Sequence, residues 1–236
     1  MKISVNQPQR YAKMRAHTAT HLLHAALGKI LGQTKQEGSL VDEDYLRFDF
    51  ATKESLSIDQ ITEIEDIIND QIVQALPISV QEMSLEDAKQ TGAKMFFGDK
   101  YGAVVRVVTI GDGFSTELCG GTHVTNTREI GAFVIIGQEA VASGVKRITA
   151  YTGPKVATYA QEKQHMIDAT MKEVGVVSES QLLPKIQKIL TEQKEQASVI
   201  ESLKAKLVGG VLQTIDLTPN GVFDSIIATD DYPDLQ

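Results

Sequence analysis

The spacing of apolar residues predicts an alternation of helices and strands over the first 150 residues. Residues 10–32 contain no proline and carry apolar side chains at helical spacing, and Gly32 is placed to end that helix. A second apolar stripe starts at the capping-box segment 57–60 and stops before Pro77, and Ser84 caps a short helix. Alternating or β-branched runs predict strands at 38–41, 45–50, 78–83, 103–110, 114–118, 131–136 and 145–151. Together they predict an α+β domain that closes near Gly153.

A purely helical pattern begins after Gly153-Pro154. One helix is expected to reach Val174, and residues 182–207 place apolar side chains at six of eight heptad seam positions. This predicts an antiparallel helical hairpin or a short coiled coil that ends at Gly209-Gly210. Residues 211–236 resemble the opening strands of a further unit that is too short to build its own core.

Composition indicates a soluble globular protein, with 42% hydrophobic and 23% charged residues. The sequence contains neither a run of about 20 apolar residues, as a membrane helix needs, nor an apolar segment of signal-peptide type at its start. It has one cysteine, which cannot form an internal disulfide and fits a reducing compartment. The expected location is therefore the cytoplasm, without a membrane partner.

Charge is distributed unevenly along the chain. The net charge is −8, yet residues 1–36 hold six Lys and Arg and no Asp or Glu, whereas residues 214–236 hold five Asp and no Lys or Arg. An anionic ligand would be attracted to the first segment and repelled by the last. A nucleic-acid partner thus remains compatible with an acidic chain.

Four potential ligands of a soft metal occur in two short segments. His17 and His21 are one helical turn apart, and Cys119 and His123 flank a Gly-Gly turn. One thiolate and three imidazoles match the preference of zinc, in a closed site with four protein ligands or an open one with three. Two alternatives are a buried cysteine with structural histidines, and Cys119 acting as a nucleophile paired with His123.

Two residues near this histidine pair, Thr18 and His24, limit which kind of metal site is possible. A metallopeptidase helix needs a carboxylate beside its first histidine, and Thr18 occupies that position. His24 is a further imidazole, but its apolar neighbours favour a hydrogen-bonded, partly buried histidine over a metal ligand.

Five segments resemble the editing domain of alanyl-tRNA synthetases, and this domain is similar to free-standing alanyl-tRNA editing proteins. In order, they are residues 17–27, 36–41, 46–50, 119–123 and 144–148. The resemblance implies a mixed or antiparallel sheet packed by helices in an editing domain at 1–153, a helical linker at 154–207 and the truncated start of a C-terminal domain at 208–236. A class II aminoacylation domain does not precede these segments, so we expect either a fragment or a free-standing relative, and the heptad linker with its unfinished tail favours a fragment. Oligomerisation would then depend on the missing C-terminal domain.

The resemblance also implies an activity, the hydrolysis of mischarged Ser-tRNA(Ala) and Gly-tRNA(Ala). By motif position, His17, His21, Cys119 and His123 would bind Zn²⁺, and Thr20 and Gln36 would sense the aminoacyl group. The alternative for this last pair is a threonine bonded to its own helix and a solvent-exposed glutamine. The backbone N–H groups of Gly120 and Gly121 would stabilise the oxyanion. The remaining implied contacts, with the acceptor end of the tRNA, would involve Arg15, Lys146 and Arg147.

Two other functions are compatible with the same residues. One is a zinc-stabilised tRNA-binding module without catalysis of its own. The other is a zinc hydrolase that acts on a small amino-acid ester.

Overall fold

The computed structural model describes residues 4–32, 34–95 and 101–213, with only the backbone for 209–213. It confirms the predicted α+β fold, and both of its sheets are antiparallel. The helices are α1 (Gln7–Leu31), α2 (Ile58–Val73), α3 (Leu85–Gln90), α4 (Pro154–Val174) and α5 (Glu179–Gln213). The strands are β1 (Gln36–Val41), β2 (Leu46–Ala51), β3 (Ile78–Ser84), β4 (Val104–Ile110), β5 (Ser115–Leu118), β6 (Phe133–Ala142) and β7 (Val145–Thr152).

Helix α1 is the central element of the fold, and its middle is buried from Ala16 to Leu27. It begins three residues before the predicted start at residue 10, because proline is tolerated in a first helical turn, where its missing N–H would have no partner. The side chain of Asn6 caps this end by accepting a hydrogen bond from the N–H of Gln9. At the other end, the positive φ of Gly32 ends the helix at the predicted position.

The larger sheet has the strand order β1-β2-β7-β6. Strand β2 alternates as predicted, with Leu46, Phe48 and Phe50 fully buried. These side chains form the main core with the apolar faces of α1 and α2, and Ile148 of β7 joins them. The capping box predicted at the start of α2 is present, since Ser57 and Gln60 exchange side-chain-to-backbone hydrogen bonds.

A smaller sheet, ordered β3-β4-β5, presents the segment that follows β5. The β-branched strand β4 lies in its middle, and its buried valines pack with Ala88 of α3 and with Leu118. The chain leaves β5 at Leu118 and enters the Cys-Gly-Gly-Thr-His loop at once. This sheet therefore fixes where Cys119 begins.

Side chains pair with the backbone along the outer edge of β6. Asn69 of α2 accepts from the N–H of Phe133 and donates to its carbonyl oxygen, both at 3.0 Å. The N–H of Ile135, two residues further along the strand, donates to Oε1 of Glu65 of α2 at 2.6 Å. Polar backbone atoms of this edge are thus satisfied by side chains where a further strand would otherwise be needed.

Helices α4 and α5 follow, and the division between two compact units of the chain falls between Lys163 and Gln164, inside α4. Within α5 the heptad positions Leu183, Leu190, Ile200 and Leu207 are all more than half exposed, so the pairing of this seam stays a prediction.

The predicted end of the last helix at Gly209-Gly210 is wrong, because α5 continues to Gln213. Glycine costs about 1 kcal/mol per residue within a helix, which lowers its stability without stopping it. The strands predicted within 211–236 are wrong for the helical residues 211–213, and the rest of that segment lies outside the described residues. Among the described helices, none is both long and apolar enough to cross a membrane.

Candidate metal centre

The four side chains singled out in the sequence meet at one point. His17 and His21 extend from one face of α1, and Cys119 and His123 extend from the loop that follows β5. The potential ligand atoms of all four lie within 4.8 Å of one another. Cys119 Sγ is 3.4 Å from His17 Nε2 and 3.4 Å from His123 Nε2. Two segments about a hundred residues apart in sequence therefore form a single cluster.

These distances fit a tetrahedral metal ion. Zinc bonds of about 2.0–2.3 Å in a tetrahedron place neighbouring ligand atoms roughly 3.3–3.7 Å apart. The two 3.4 Å separations lie in that range, and the donor set of one sulfur and three imidazole nitrogens suits a borderline-soft ion. The cluster is thus a group that could bind a metal.

Burial and mutual contact set the protonation of the cluster. Burial alone would raise the pKa of the Cys119 thiol, but hydrogen bonds with His123, His17 and His21 lower this pKa to about 3. Burial alone would lower the pKa of His21, but Cys119 and Glu117 raise it to about 9. Burial lowers the pKa of His123 to about 4, against the opposing effect of Cys119. A thiolate and a neutral His123 are the forms that a metal ion requires, whereas His21, with its raised pKa, would release a proton when it binds the ion.

Thr18 orients His123 and determines which of its nitrogens faces the cluster. The Thr18 hydroxyl donates to the Met14 carbonyl oxygen at 2.9 Å, so towards His123 Nδ1, at 3.2 Å, it can only accept. His123 Nδ1 therefore carries the proton, and Nε2 keeps a free lone pair on the side of Cys119. In the sequence, Thr18 served only to exclude a peptidase, and this second role was not predicted.

Arg106 holds the backbone of the loop and was also missed in the sequence. Its guanidinium donates to the carbonyl oxygens of Cys119, at 2.9 Å, and of Gly121. The Cys119 N–H in turn donates to the Arg106 carbonyl oxygen at 3.0 Å. A half-buried arginine on β4 thus fixes both sides of the first loop residue. A charged residue in the middle of the β-branched strand β4 is unusual, and this position of Arg106 could have indicated a structural role.

The glycines of the loop differ in their surroundings. The Gly121 N–H donates to Cys119 Sγ at 3.4 Å and is engaged within the cluster. Of the two predicted oxyanion donors, Gly121 is thus occupied by the thiol sulfur, and the role of Gly120 stays a prediction.

His24 is buried and hydrogen-bonded, as its apolar neighbours predict. Its Nδ1 lies 2.8 Å from Glu117 Oε1, and its Nε2 lies 3.3 Å from the Thr34 carbonyl oxygen. Glu117 itself is a buried carboxylate that sequence reasoning missed, although as the second residue before Cys119 in a strand it shares the face of that ligand.

The two predicted sensing residues occupy different environments. Thr20 is 5% exposed and donates to the Ala16 carbonyl oxygen at 2.8 Å, as the alternative of a threonine bonded to its own helix anticipated. Its oxygen can still accept a hydrogen bond. Gln36 is half-buried at the start of β1 and donates to Ser39 Oγ at 3.0 Å.

A cavity of about 530 Å³ opens beside His24 and Gln36. Three of the described residues that line it are lysines, Lys29, Lys35 and Lys94, and none of those described is acidic. Its size is in the range of about 300–1,000 Å³ that is usual for small-ligand sites. The cavity could therefore hold a small ligand with negative charge.

The predicted RNA-binding residues are not equally available. Arg147 makes a twofold contact with the Asp49 carboxylate, at 2.7 and 2.9 Å, and this carboxylate raises its pKa. Lys146 precedes it in β7, and successive strand residues point to opposite faces, so the two cations do not form one patch. Arg15 is half-buried, with its Nε against Gly153.

A comparison with known families finds a match over part of the chain. Residues 105–149, which include β4, β5 and the Cys-Gly-Gly-Thr-His loop, match the family described as the threonyl and alanyl tRNA synthetase second additional domain. This segment of the chain, with the loop that carries Cys119 and His123, is therefore similar to that domain.

Similarity over nearly the whole chain is more specific, and it is to alanine–tRNA ligases. The chain is 42% identical to the alanine–tRNA ligase of Alkaliphilus oremlandii, in an alignment that covers 96% of the chain. It is 44% identical to the enzyme of the same name from Fervidobacterium nodosum, in an alignment that covers 88% of the chain. It is 46% identical to the alanine–tRNA ligase of Caldicellulosiruptor saccharolyticus over 86%. The matched segment covers 27%, 25% and 23% of these relatives, so the chain spans about a quarter of their length. The chain is thus homologous to one segment of alanine–tRNA ligases.

Proposed function

We propose that this chain is the editing part of an alanine–tRNA ligase and hydrolyses the ester of mischarged Ser-tRNA(Ala) and Gly-tRNA(Ala) in the cytoplasm. The observation that carries the proposal is the convergence of His17, His21, Cys119 and His123, in a domain of the synthetase-associated class. The similarity to alanine–tRNA ligases indicates which tRNA would be bound.

Zinc is the metal that this donor set favours. His17, His21, Cys119 and His123 would hold it, and the ion would supply a positive charge that orients the substrate beside the cluster. Ligation by all four side chains favours this orienting role over activation of a water, since a closed site leaves no open position.

The lysine-lined cavity is a suitable binding site for the terminal nucleotide of the tRNA. A terminal nucleotide carries phosphate charge, and the described lining offers three cations and no carboxylate. Gln36 lies in this lining and could contact the aminoacyl group there. His24, in the same lining, is connected through Glu117 to His21, so a single carboxylate links a cavity residue to a candidate metal ligand.

Discrimination between serine and alanine would rest on a buried hydrogen bond. The Thr20 hydroxyl, whose proton is used by Ala16, could accept from the serine hydroxyl. A site of this kind discriminates by the cost of an unpaired polar group, which exceeds what a methylene's size provides. The Gly120 N–H is suited to stabilise the oxyanion as water attacks the ester. The remaining RNA contacts fall to the acid-free segment 1–36 with Arg15, and to Lys146. We assign Arg147 to the Asp49 pair.

A second function follows from the closed set of four ligands. Structural zinc sites use four protein ligands, so the cluster could stabilise a tRNA-binding module without catalysis. Any oligomer formed through the C-terminal part of the relatives would be compatible with both functions.

Deacylation assays separate the two functions. The chain, loaded with zinc, is incubated with Ser-tRNA(Ala), Gly-tRNA(Ala) and Ala-tRNA(Ala), with a Cys119→Ala variant in parallel. We expect release of serine and glycine but not of alanine, and zinc loss in the variant. Binding of tRNA without release of any amino acid would favour the module without catalysis. Equal zinc content in both proteins would contradict the four-ligand centre.

A further inference from the structure

Glu117 is a carboxylate buried in the core of the protein, next to the metal ligands. It is 2% exposed, on strand β5. A buried carboxylate without partners costs several kcal/mol, so a residue of this kind persists only where other groups hold it. Its two carboxylate oxygens lie 2.8 and 2.9 Å from ring nitrogens of His24 and His21. Glu117 therefore has the partners that a buried carboxylate needs.

Each oxygen of the carboxylate contacts a different histidine. Oε1 lies 2.8 Å from His24 Nδ1 and 3.3 Å from Ser115 Oγ, and Oε2 lies 2.9 Å from His21 Nδ1. His24 is held at its other nitrogen by the Thr34 carbonyl oxygen. The carboxylate is thus anchored on one side and presents its second oxygen to a candidate metal ligand.

We propose that Glu117 is a positioning residue that fixes His21 as a metal ligand through its Nε2 atom. This inference rests on the proposed metal centre. A carboxylate beside Nδ1 keeps a proton on that nitrogen and leaves the lone pair of Nε2 for the ion. Thr18 does the same for His123, so two of the three histidines have a partner that selects the same nitrogen.

Glu117 also balances charge. A zinc ion brings two positive charges into a buried site, and Cys119 supplies one negative charge. Glu117 supplies a second one at contact distance from His21. The His21–Glu117 contact is short but is not aligned as a hydrogen bond, since His21 Nδ1 has no acceptor in line among the described residues. The carboxylate therefore favours a proton on His21 Nδ1 through its charge rather than through a directed hydrogen bond.

Zinc affinity is the direct test. The probe is Zn²⁺ alone, competed against a chromophoric chelator, with wild type, Glu117→Gln and the control Glu86→Gln, whose side chain is 84% exposed on α3. The amide keeps the shape of the carboxylate but not its charge. We expect about a 10- to 100-fold loss of affinity in Glu117→Gln and none in the control. Cobalt-loaded Glu117→Gln should show an altered visible spectrum, which loss of stability alone would not produce.

A measurement on the wild type keeps the inference falsifiable if Glu117→Gln does not fold. Nitrogen-15 spectra of the zinc-loaded wild type should show His21 protonated at Nδ1 and bound at Nε2. Zinc bound to Nδ1 of His21, or wild-type affinity and cobalt spectrum in Glu117→Gln, would overturn the role of Glu117. A wild type that binds no zinc would instead contradict the proposed metal centre.

Discussion

The imidazole of His17 occupies the space in which a side chain on Gly121 would have to lie. A Cβ atom on Gly121 would lie 2.0 Å from His17 Cε1 and 2.5 Å from Nδ1, whereas a Cβ on Gly120 would meet no atom within 4 Å. The second glycine of the loop is therefore required by the contact with a ligand, and the first is not.

This contrast gives a matched pair of variants. Gly121→Ala should displace the His17 ring and lower zinc affinity at least about tenfold, because one ligand is withdrawn. Gly120→Ala should leave the affinity unchanged. Chelator competition measures both. Equal affinities in the two variants would contradict the packing of His17 against the loop.

Arg106 should stabilise the loop through its two carbonyl contacts. Arg106→Met removes charged hydrogen bonds worth roughly 1.5–3 kcal/mol each when buried, and less in this half-buried setting, so we expect a loss of about 1–2 kcal/mol in the free energy of unfolding. Urea denaturation measures the loss. Arg10→Met, on the exposed start of α1, is the control. A result at the level of Arg10→Met would show that the guanidinium does not hold the loop.

The cations at 146 and 147 should differ in function. Arg147→Gln should destabilise the protein, and combining it with Asp49→Asn should cost less than the sum of the two single changes, because both remove one ion pair. Lys146→Gln should instead weaken binding of an acceptor-stem RNA and leave the urea midpoint unchanged. Additive losses for positions 49 and 147 would argue against the pair.

Thr20 should affect one substrate and not the other. Thr20→Val keeps the volume but removes the acceptor, and an unpaired serine hydroxyl would slow deacylation of Ser-tRNA(Ala) by about 10- to 100-fold. Gly-tRNA(Ala) has no such hydroxyl and should be hydrolysed at the wild-type rate. Thr62→Val is a matched control, because Thr62 also donates to its own helix, at 3.0 Å, on the exposed side of α2. Equal slowing of both substrates would remove Thr20 from serine recognition.

Glu129 should contribute stability that depends on pH. Hydrogen bonds from the Thr125 hydroxyl, at 2.6 Å, and from the N–H groups of Thr125 and Asn126 lower the pKa of its carboxyl group. A lowered pKa in the folded state means that this stabilisation is complete above the unfolded pKa of about 4.3 and is lost as pH falls through the folded value. We expect Glu129→Gln to be less stable than wild type by up to about 1 kcal/mol at pH 7, a modest effect because solvent reaches this half-buried group. Urea unfolding at pH 7 and pH 3 should show that difference shrink, and a constant difference would contradict it.

The sequence predicts most elements of this fold because the local patterns of apolar and capping residues agree with the burial and hydrogen bonds of the folded protein. The alternation in 46–50 and the capping box at Ser57 appear as the structure has them. Helix α1 starts at Gln7, three residues before the proline-free segment from which it was predicted, because a first helical turn accepts proline. The end of α5 was misplaced because paired glycines were treated as a stop.

The site was less predictable than the fold. Histidine and cysteine spacing indicates ligands, but the partners of those ligands are set by tertiary contacts. Glu117 looks in sequence like a polar strand residue directed at water, and only the position of α1 against β5 buries it. Arg147 shows the converse, because a cation that suggests RNA binding is paired with Asp49 from a strand almost a hundred residues earlier.

The side chains that pair with the β6 backbone limit how this protein could associate with other chains. Asn69 already exchanges two hydrogen bonds with the backbone of Phe133, as a neighbouring strand would, and Glu65 accepts one from the N–H of Ile135. A peptide that extended the sheet at Phe133 would have to displace the Asn69 side chain and replace both of its hydrogen bonds. Addition of a peptide strand at Phe133 is therefore disfavoured, and so is edge-to-edge aggregation through this part of β6.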